Sequence, residues 1–110
     1  MAPTERATPS DFRWAAGFYE GEGCVVRAGL RGTEYRAESI NIDQKNPWPL
    51  ERLRALFGGS VHPDRTYFRW YLSGARARGF LMSIYGLLSP QRQGQVRKAM
   101  QVGEFSVGKI

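Results

Sequence analysis

Two stretches of the chain alternate apolar and polar residues with a period of two, and this pattern constrains the fold more than any other feature. In SINID, residues 39–43, polar residues flank and separate the two isoleucines. In YFRWYL, residues 67–72, the phenylalanine, tryptophan and leucine alternate with tyrosine and arginine. Such alternation is typical of β-strands that bury one face and leave the other polar. The sequence therefore predicts a sheet that is covered on one side only.

Each alternating run forms the second arm of a predicted hairpin. CVVRAGLR and EYRAESINIDQ have strand composition, and turn chemistry at Gly32 and Thr33 separates them. SVHPDRTYFRWYLSG predicts the second hairpin, with Pro63 and Asp64 as its turn. The sheet is thus expected to have four strands.

Helical patterns precede, separate and follow the hairpins. The first helix is predicted over residues 12–20, and the second over PLERLRALFGG, residues 49–59, which has proline early and glycine past its end. Apolar residues recur at helical spacing over residues 80–88, and a break at Ser89 and Pro90 precedes a final basic helix. The order α-β-β-α-β-β-α-α predicts an α+β fold, a four-stranded antiparallel sheet with helices on one face.

The length of 110 residues, 42% of them apolar, is expected to build one domain with one modest core. We assign residues 11–103 to this domain. Residues 1–10, rich in proline, threonine and alanine, are expected to form a flexible N-terminal tail, and residues 104–110 a C-terminal tail.

The charge balance restricts the partners of the chain. Thirteen arginines and three lysines oppose ten acids, which gives a formal net charge of +6 and an isoelectric point near 10.0. Residues 65–103 contain seven basic residues and no acidic residue. Such a balance favours a nucleic-acid partner, although charge alone also fits a ribosomal or membrane-surface protein.

Composition also restricts location and metal chemistry. Because no apolar run approaches the roughly 20 residues of a membrane span and the first residues lack the apolar core of a signal peptide, we expect no membrane partner and no secretion. The expected location is the cytoplasm of a prokaryotic or phage-host cell, or an organelle. One cysteine, Cys24, and one histidine, His62, exclude a structural zinc site and an internal disulfide. A metal would therefore bind oxygen ligands, which suits Mg²⁺.

The polar face of the predicted sheet offers several kinds of hydrogen-bonding group, which can read base edges in a DNA groove. An ordinary solvated face fits the same pattern equally well. For the lone His62, a surface or DNA contact is favoured over a role as general base. The candidate DNA-binding residues are Tyr35, Ser39, Asn41, Lys45, His62, Arg65, Arg69 and Tyr71.

The segment AAGFYEGEG, residues 15–23, ends the first predicted helix. Gly17 and Gly21 are four residues apart, so they share one helix face, where the absence of side chains allows another backbone to approach. Glu20 and Glu22 fall at the C-terminal end of the helix, where the macrodipole makes acids mildly unfavourable. Another interaction must therefore favour these two carboxylates.

WAAGFYEGEGCV resembles the signature motif of the LAGLIDADG homing endonucleases, in which a helix packs two domains or subunits together and delivers an acid at its end. Residues 15–23 occupy the nine motif positions in order. INIDQKNPWPLERLRALFGGSVH and LLSPQRQGQ are similar to further segments of the family, so the resemblance spans roughly residues 12–100. It implies a nuclease that cuts both strands of a long pseudo-palindromic DNA target as a homodimer.

The resemblance also implies roles for single residues. Glu22 would bind the catalytic divalent metal, Mg²⁺ or another cation such as Mn²⁺, whereas Glu20 would be structural. Gln44 would be an active-site polar residue, and Arg92 would neutralise charge at the scissile phosphate, since arginine cannot shuttle protons at neutral pH. No small-molecule cofactor is implied. The implied dimer interface consists of Trp14, Gly17, Phe18 and Gly21.

Two questions stay open at this level. If the first strand alternates strictly from Glu22 onward, Arg27 falls on the core face, so either a β-bulge or a short ordered strand is expected near Ala28 and Gly29. The function also has two versions: a metal-dependent DNA endonuclease, or a non-cleaving DNA- or RNA-binding module on the same fold, such as a transcription regulator or an intron maturase.

Overall fold

The computed structural model describes residues 2–29 and 36–108, and it confirms the predicted order of elements. Within those residues a four-stranded antiparallel sheet packs against helices, as in the expected α+β fold. No helix in this described part is long and apolar enough to cross a bilayer. The elements are α1 (Pro9–Glu22), β1 (Gly23–Gly29), β2 (Arg36–Gln44), α2 (Trp48–Phe57), β3 (Ser60–Asp64), β4 (Tyr67–Ser73), α3 (Gly74–Ile84), a 3₁₀ turn (Tyr85–Leu87) and α4 (Pro90–Gly108).

The strand order is β1-β2-β4-β3, so the two alternating runs are the central strands. Ile40 lies opposite Leu72 and Ile42 opposite Trp70, which brings the apolar residues of both strands onto one face. All four are buried. The indole Nε1 of Trp70 donates to the carbonyl oxygen of Gly58 at 2.9 Å, so burial leaves no unpaired donor on the ring.

Helices α1, α2 and α3 cover this face, and an aromatic cluster lies at their junction. The ring of Phe80 meets Phe57, Trp70 and Tyr19 edge-on, at centroid distances of 4.8, 5.4 and 6.2 Å. Trp48, by contrast, is 64% exposed at the start of α2. The opposite face of the sheet is left without a covering helix among the described elements.

The turn of the second hairpin lies two residues later than predicted. Pro63 is part of β3, opposite Phe68, and the turn is formed by Arg65 and Thr66. Proline is tolerated there because β3 is an edge strand. Arg65 adopts φ 58°, the left-handed conformation that tight hairpin turns require at this position.

The expected β-bulge in the first strand is absent from the described part of β1. Pairing with β2 runs without a break from Gly23 opposite Ile42 to Gly29 opposite Arg36. Arg27 accordingly lies opposite Glu38, on the core-face register. Glu38 is only 4% exposed and accepts hydrogen bonds from Arg78 of α3. The core face therefore includes a charged pair, Glu38 with Arg78, at this end of the sheet.

Helix α1 begins earlier and ends later than predicted. Thr8 is the N-cap, and its capping box with Asp11 starts the helix at Pro9. Residues 9 and 10 are thus helical rather than part of a tail. Further upstream, the backbone amides of Thr4 and Glu5 donate to the carbonyl oxygen of Ala55 on α2. At the other end of the chain, α4 continues beyond residue 103 to Gly108.

Candidate active site and nucleic-acid interface

The junction between α1 and β1 has no intervening loop. Glu22 ends the helix and Gly23 begins the strand, while the Gly23 amide donates to the carbonyl oxygen of Tyr19. The Tyr19 ring packs directly against Gly23, so closely that a Cβ atom there would overlap the ring. Burial raises the pKa of the Tyr19 hydroxyl to about 12. A glycine at position 23 is therefore required for the chain to pass from helix to strand at this point.

Glu22 presents an exposed carboxylate at this junction. Within residues 2–29 and 36–108, no hydrogen bond or ion pair engages it, and no three acidic, histidine or cysteine side chains gather into a metal cluster. A free carboxylate suits a hard divalent cation, which keeps several waters and takes oxygen ligands from other molecules. Glu22 therefore fits a metal-ligand role in which phosphate, water or a second copy supplies the other ligands.

Glu20 is fully engaged, in agreement with the structural role expected for it. Its Oε1 accepts from the Ser89 amide at 2.8 Å and its Oε2 accepts from the Ser89 hydroxyl at 2.7 Å. These bonds, together with the nearby Arg92 charge, lower the pKa of Glu20 below its ordinary value. Two carboxylates two positions apart thus have different environments: one is held by the fold and the other is free.

Arg92 of α4 contacts the backbone on both sides of the same junction. Its Nε donates to the carbonyl oxygen of Glu20 at 3.1 Å and its Nη1 to that of Gly23 at 2.7 Å. Nη1 also donates to Oε1 of Gln95 at 3.1 Å, and the guanidinium carbon lies 5.6 Å from the centroid of the Tyr19 ring. The predicted active-site arginine is therefore close to the motif helix, but it binds backbone carbonyls there.

Gln44 is the last residue of β2 and is partly exposed. Because Ile42 lies opposite Gly23, the register places Gln44 at the same end of the sheet as the α1–β1 junction. Lys45 follows it and is exposed. The sheet thus brings Gln44 to the end that carries Glu22.

The uncovered sheet face carries most of the candidate DNA-binding residues. Asn41 and Tyr71 lie opposite one another on the central strands, and Ser39 lies further along β2, where it is only 6% exposed. His62 is exposed and hydrogen-bonds through Nε2 to the Ser60 hydroxyl at 2.8 Å. Arg65 is exposed at the hairpin turn. Tyr35 and the predicted Gly32–Thr33 turn lie outside the described residues.

Sequence reasoning placed Asp43 on the polar face but left it out of the candidate DNA-binding residues. Asp43 lies opposite Arg69, and its carboxylate receives hydrogen bonds from Nε at 2.7 Å and from Nη2 at 3.0 Å. The bidentate pair raises the pKa of Arg69 and fixes the plane of its guanidinium. The signal was present in the sequence, because Asp43 shares the alternation parity of Asn41.

One face of α1 is left uncovered. Its buried side consists of Ala15, Ala16 and Tyr19, whereas Gly17 and Gly21 are exposed. A Cβ atom at either glycine would meet no atom within 4 Å from the described chain outside its own helix backbone and neighbours. Two aromatic residues flank the glycines. Trp14 and Phe18 are partly buried and stack with ring centroids 5.6 Å apart and an interplanar angle of 15°.

The contacts of Glu20 predict a pH dependence of stability. Because its pKa is lower in the folded state than its ordinary 4.5, the carboxylate stabilises the fold above that pH and loses this contribution as the pH falls through the folded value. We expect Ser89→Ala to weaken this acid-range dependence. Urea unfolding of both proteins at pH 7 and at steps below pH 5 measures it, and an unchanged pH profile would contradict the prediction.

No protein-family profile matches the sequence, and no curated protein matches it. Among solved structures, the homing endonuclease I-CvuI, in complex with a DNA target in the presence of Mg and with the DNA not cleaved, gives a TM-score of 0.71 at 20% identity over 84% of this chain. An archaeal intron-encoded homing endonuclease complexed with DNA gives 0.64 at 16% identity over 81%.

A third solved structure carries the family name. The LAGLIDADG homing endonuclease I-GzeII, in complex with its DNA target, gives a TM-score of 0.55 at 13% identity over 69% of this chain. The chain spans 64% of I-CvuI, 65% of the archaeal enzyme and 28% of I-GzeII, so it is shorter than each of them. Similarity at these identities establishes architecture, and the chain has the fold of the LAGLIDADG homing endonucleases.

Proposed function

We propose that this protein is a site-specific, divalent-metal-dependent DNA endonuclease of the LAGLIDADG type, which hydrolyses phosphodiester bonds in both strands as a homodimer. The observation that carries the proposal is the free, exposed carboxylate of Glu22 at the α1–β1 junction, at the same end of the sheet as Gln44. The three similar structures are homing endonucleases in complex with DNA, which supports double-stranded DNA as the partner.

The sheet face supports DNA binding through its groups and its charge. A chain with formal net charge +6 attracts the phosphate backbone, and side chains on the sheet can enter a major groove. Arg69, oriented by Asp43, retains donors on Nη1 and Nη2 for a base edge or a phosphate. Lys45 follows β2 and Arg65 lies in the β3–β4 turn. The strand register places both at the same end of the sheet, where they can reach phosphates.

The proposed chemistry divides between Glu22 and its neighbours. Glu22 would hold Mg²⁺, which when bound lowers the pKa of a coordinated water and stabilises negative charge on the phosphate. Gln44, at the same end of the sheet, would orient the attacking water by hydrogen bonding. The oxygen of that water would form the new bond to phosphorus as one phosphodiester P–O bond breaks. The attacking water would release a proton to solvent, and the departing oxygen would take one up.

The number of acids supports the homodimer. One chain has one motif and one free junction carboxylate, whereas cutting two strands requires a reaction centre for each. Contact between two copies through the Gly17 and Gly21 face of α1 would place two Glu22 side chains near one two-fold axis. Such a dimer reads a pseudo-palindromic target, because each copy presents the same sheet to one half-site.

We expect Gly17→Ala to weaken the dimer without weakening the fold. A methyl group on this face separates the two helix backbones, and a loss of about 1.4 kcal/mol raises the dissociation constant about tenfold. Gly79→Ala on α3 is the matched control, because Gly79 is also helical and exposed with no described atom near a Cβ. Sedimentation over a concentration series measures both. A wild-type protein that is monomeric both free and on DNA would refute the dimer.

The proposed function is tested in two steps. Random-sequence duplexes are first selected for binding and sequenced, and the enriched site is then cloned into a supercoiled plasmid. Incubation with Mg²⁺ or Mn²⁺ is expected to linearise this plasmid and to leave a plasmid without the site intact. If the protein binds the selected duplex yet neither nicks nor cuts it with any divalent cation, the non-cleaving version of the function is correct instead.

A further inference from the structure

Three elements, α1, β1 and α4, meet at the residues that flank Glu22. The C-terminal turn of α1 faces the N-terminal turn of α4, with the first residue of β1 between them. Ser89 immediately precedes α4, and its hydroxyl accepts from the Arg92 amide at 3.3 Å while its carbonyl accepts from the Gln93 amide at 2.8 Å. Ser89 therefore caps α4 and at the same time binds Glu20 of α1.

We propose that Ser89 and Arg92 are positioning residues, which lock the last turn of α1 against α4 and thereby set the direction of the Glu22 carboxylate. The inference rests on the proposed nuclease function, and it changes the role of Arg92 from a phosphate contact to a support of the motif helix. Ser89, Arg92 and Glu20 are named the junction latch.

The latch satisfies groups that a helix end leaves unpaired. The last carbonyls of α1 have no partner further along the helix. The Gly23 amide donates a hydrogen bond to the carbonyl oxygen of Tyr19, and Nε of Arg92 donates one to the carbonyl oxygen of Glu20. A cation there also complements the negative end of the α1 macrodipole, while the Glu20 carboxylate complements the positive end of α4. Arg92 thus lies at the end of α1 that favours a cation, and the contact with the start of α4 offsets the unfavourable position of Glu20 on α1.

The geometry of Arg92 supports this role over a free phosphate contact. Its Nε and Nη1 bind two carbonyl oxygens on either side of Glu22, namely those of Glu20 and Gly23. A planar guanidinium can bridge both positions at once, and a lysine ammonium, which is a compact point donor, cannot reproduce this fork. Glu22 therefore lies between two residues, Glu20 and Gly23, whose carbonyl groups are both hydrogen-bonded to Arg92.

The position of Glu22 matters for catalysis because reacting groups tolerate little displacement. Glu22 is the last residue of α1, and fraying of that turn would swing its side chain away from the phosphate. A displacement of about 1 Å at a reaction centre can cost about a hundredfold in rate. Loss of the latch is thus expected to lower kcat and to leave the Michaelis constant for DNA nearly unchanged.

The test combines kinetics with hydrogen exchange of single amides. We expect Ser89→Ala and Arg92→Lys each to lower kcat at least fivefold at unchanged KM. Both are also expected to raise the exchange rate of the Gly23 amide at least tenfold relative to the core amide of Leu53. The fold-decrease in kcat of the double variant should be smaller than the product of the fold-decreases of the two single variants, because both residues hold the same helix end.

Matched controls are available on neighbouring helices. Ser83→Ala removes a hydroxyl that donates to Gly79 within α3, and Arg97→Lys changes an arginine of α4 that donates to the Tyr85 hydroxyl. Both should leave the Gly23 exchange rate and kcat as in the wild type.

A different outcome would overturn the latch. If Ser89→Ala and Arg92→Lys leave both kcat and Gly23 exchange unchanged while Arg92→Ala lowers kcat, Arg92 acts by its charge on the phosphate. The exchange measurement does not depend on cleavage. If the wild type cuts no DNA, protection of the Gly23 amide still decides whether the latch exists, and only the nuclease proposal fails.

Discussion

Glu22→Gln is expected to abolish DNA cleavage while leaving DNA binding close to that of the wild type. Glutamine keeps the size of the side chain but removes the negative charge that a divalent cation requires. Loss of about 4 kcal/mol of transition-state stabilisation corresponds to roughly a thousandfold lower rate. The fold should be unaffected, because the carboxylate engages no described side chain or amide of residues 2–29 and 36–108. Single-turnover cleavage of the selected duplex, beside its binding curve, measures both quantities.

The control for this substitution is Glu51→Gln, which removes one exposed carboxylate from α2, on the helix side of the sheet. It breaks only the ion pair with Arg54, and such exposed pairs contribute little to stability. Cleavage by this variant should therefore equal that of the wild type. Cleavage by Glu22→Gln at more than about a tenth of the wild-type rate would mean that another residue holds the metal.

The second large effect concerns the fold itself. Gly23→Ala is expected to lower the free energy of unfolding by about 3 kcal/mol, near the upper end of what overpacking costs. The backbone at Gly23 has φ −74°, so alanine meets no conformational strain there. The cost arises because the new methyl overlaps the fully buried Tyr19 ring, which Phe80 on one side and the Arg92 guanidinium on the other keep in place. Urea unfolding at pH 7 measures the loss.

Gly79→Ala again provides the opposite case. No described atom lies within 4 Å of a Cβ built at Gly79, so alanine should raise stability by about 0.5–1 kcal/mol through its higher helix propensity. The two glycine-to-alanine changes are thus expected to have opposite signs. If Gly23→Ala is as stable as the wild type, the Tyr19 ring can move, and the rigidity ascribed to the junction is wrong.

Much of the fold could be predicted because it depends on short-range patterns. The alternation around Ile40 and Trp70 specifies which face of each strand is buried, and both residues are fully buried in the structure. Turn positions were less predictable, since proline is compatible with a turn or with an edge strand. Only the strand order reveals that Pro63 lies on an edge and that Arg65 forms the turn.

The sequence by itself determined the α+β order and the one-sided sheet, because these follow from periodicity and turn chemistry. It ended the motif helix at residue 20, two residues before its end at Glu22. The tertiary structure decided which charges are free and which are held. Arg92 and Glu20 are 72 residues apart, and Arg78 and Glu38 are 40 apart. No local pattern links such pairs, because they meet only when α4 packs behind α1 and α3 packs on the sheet. Glu20 and Glu22 look alike in the sequence. In the folded protein Glu20 binds Ser89, whereas Glu22 has no hydrogen-bond or ion-pair partner in the described chain.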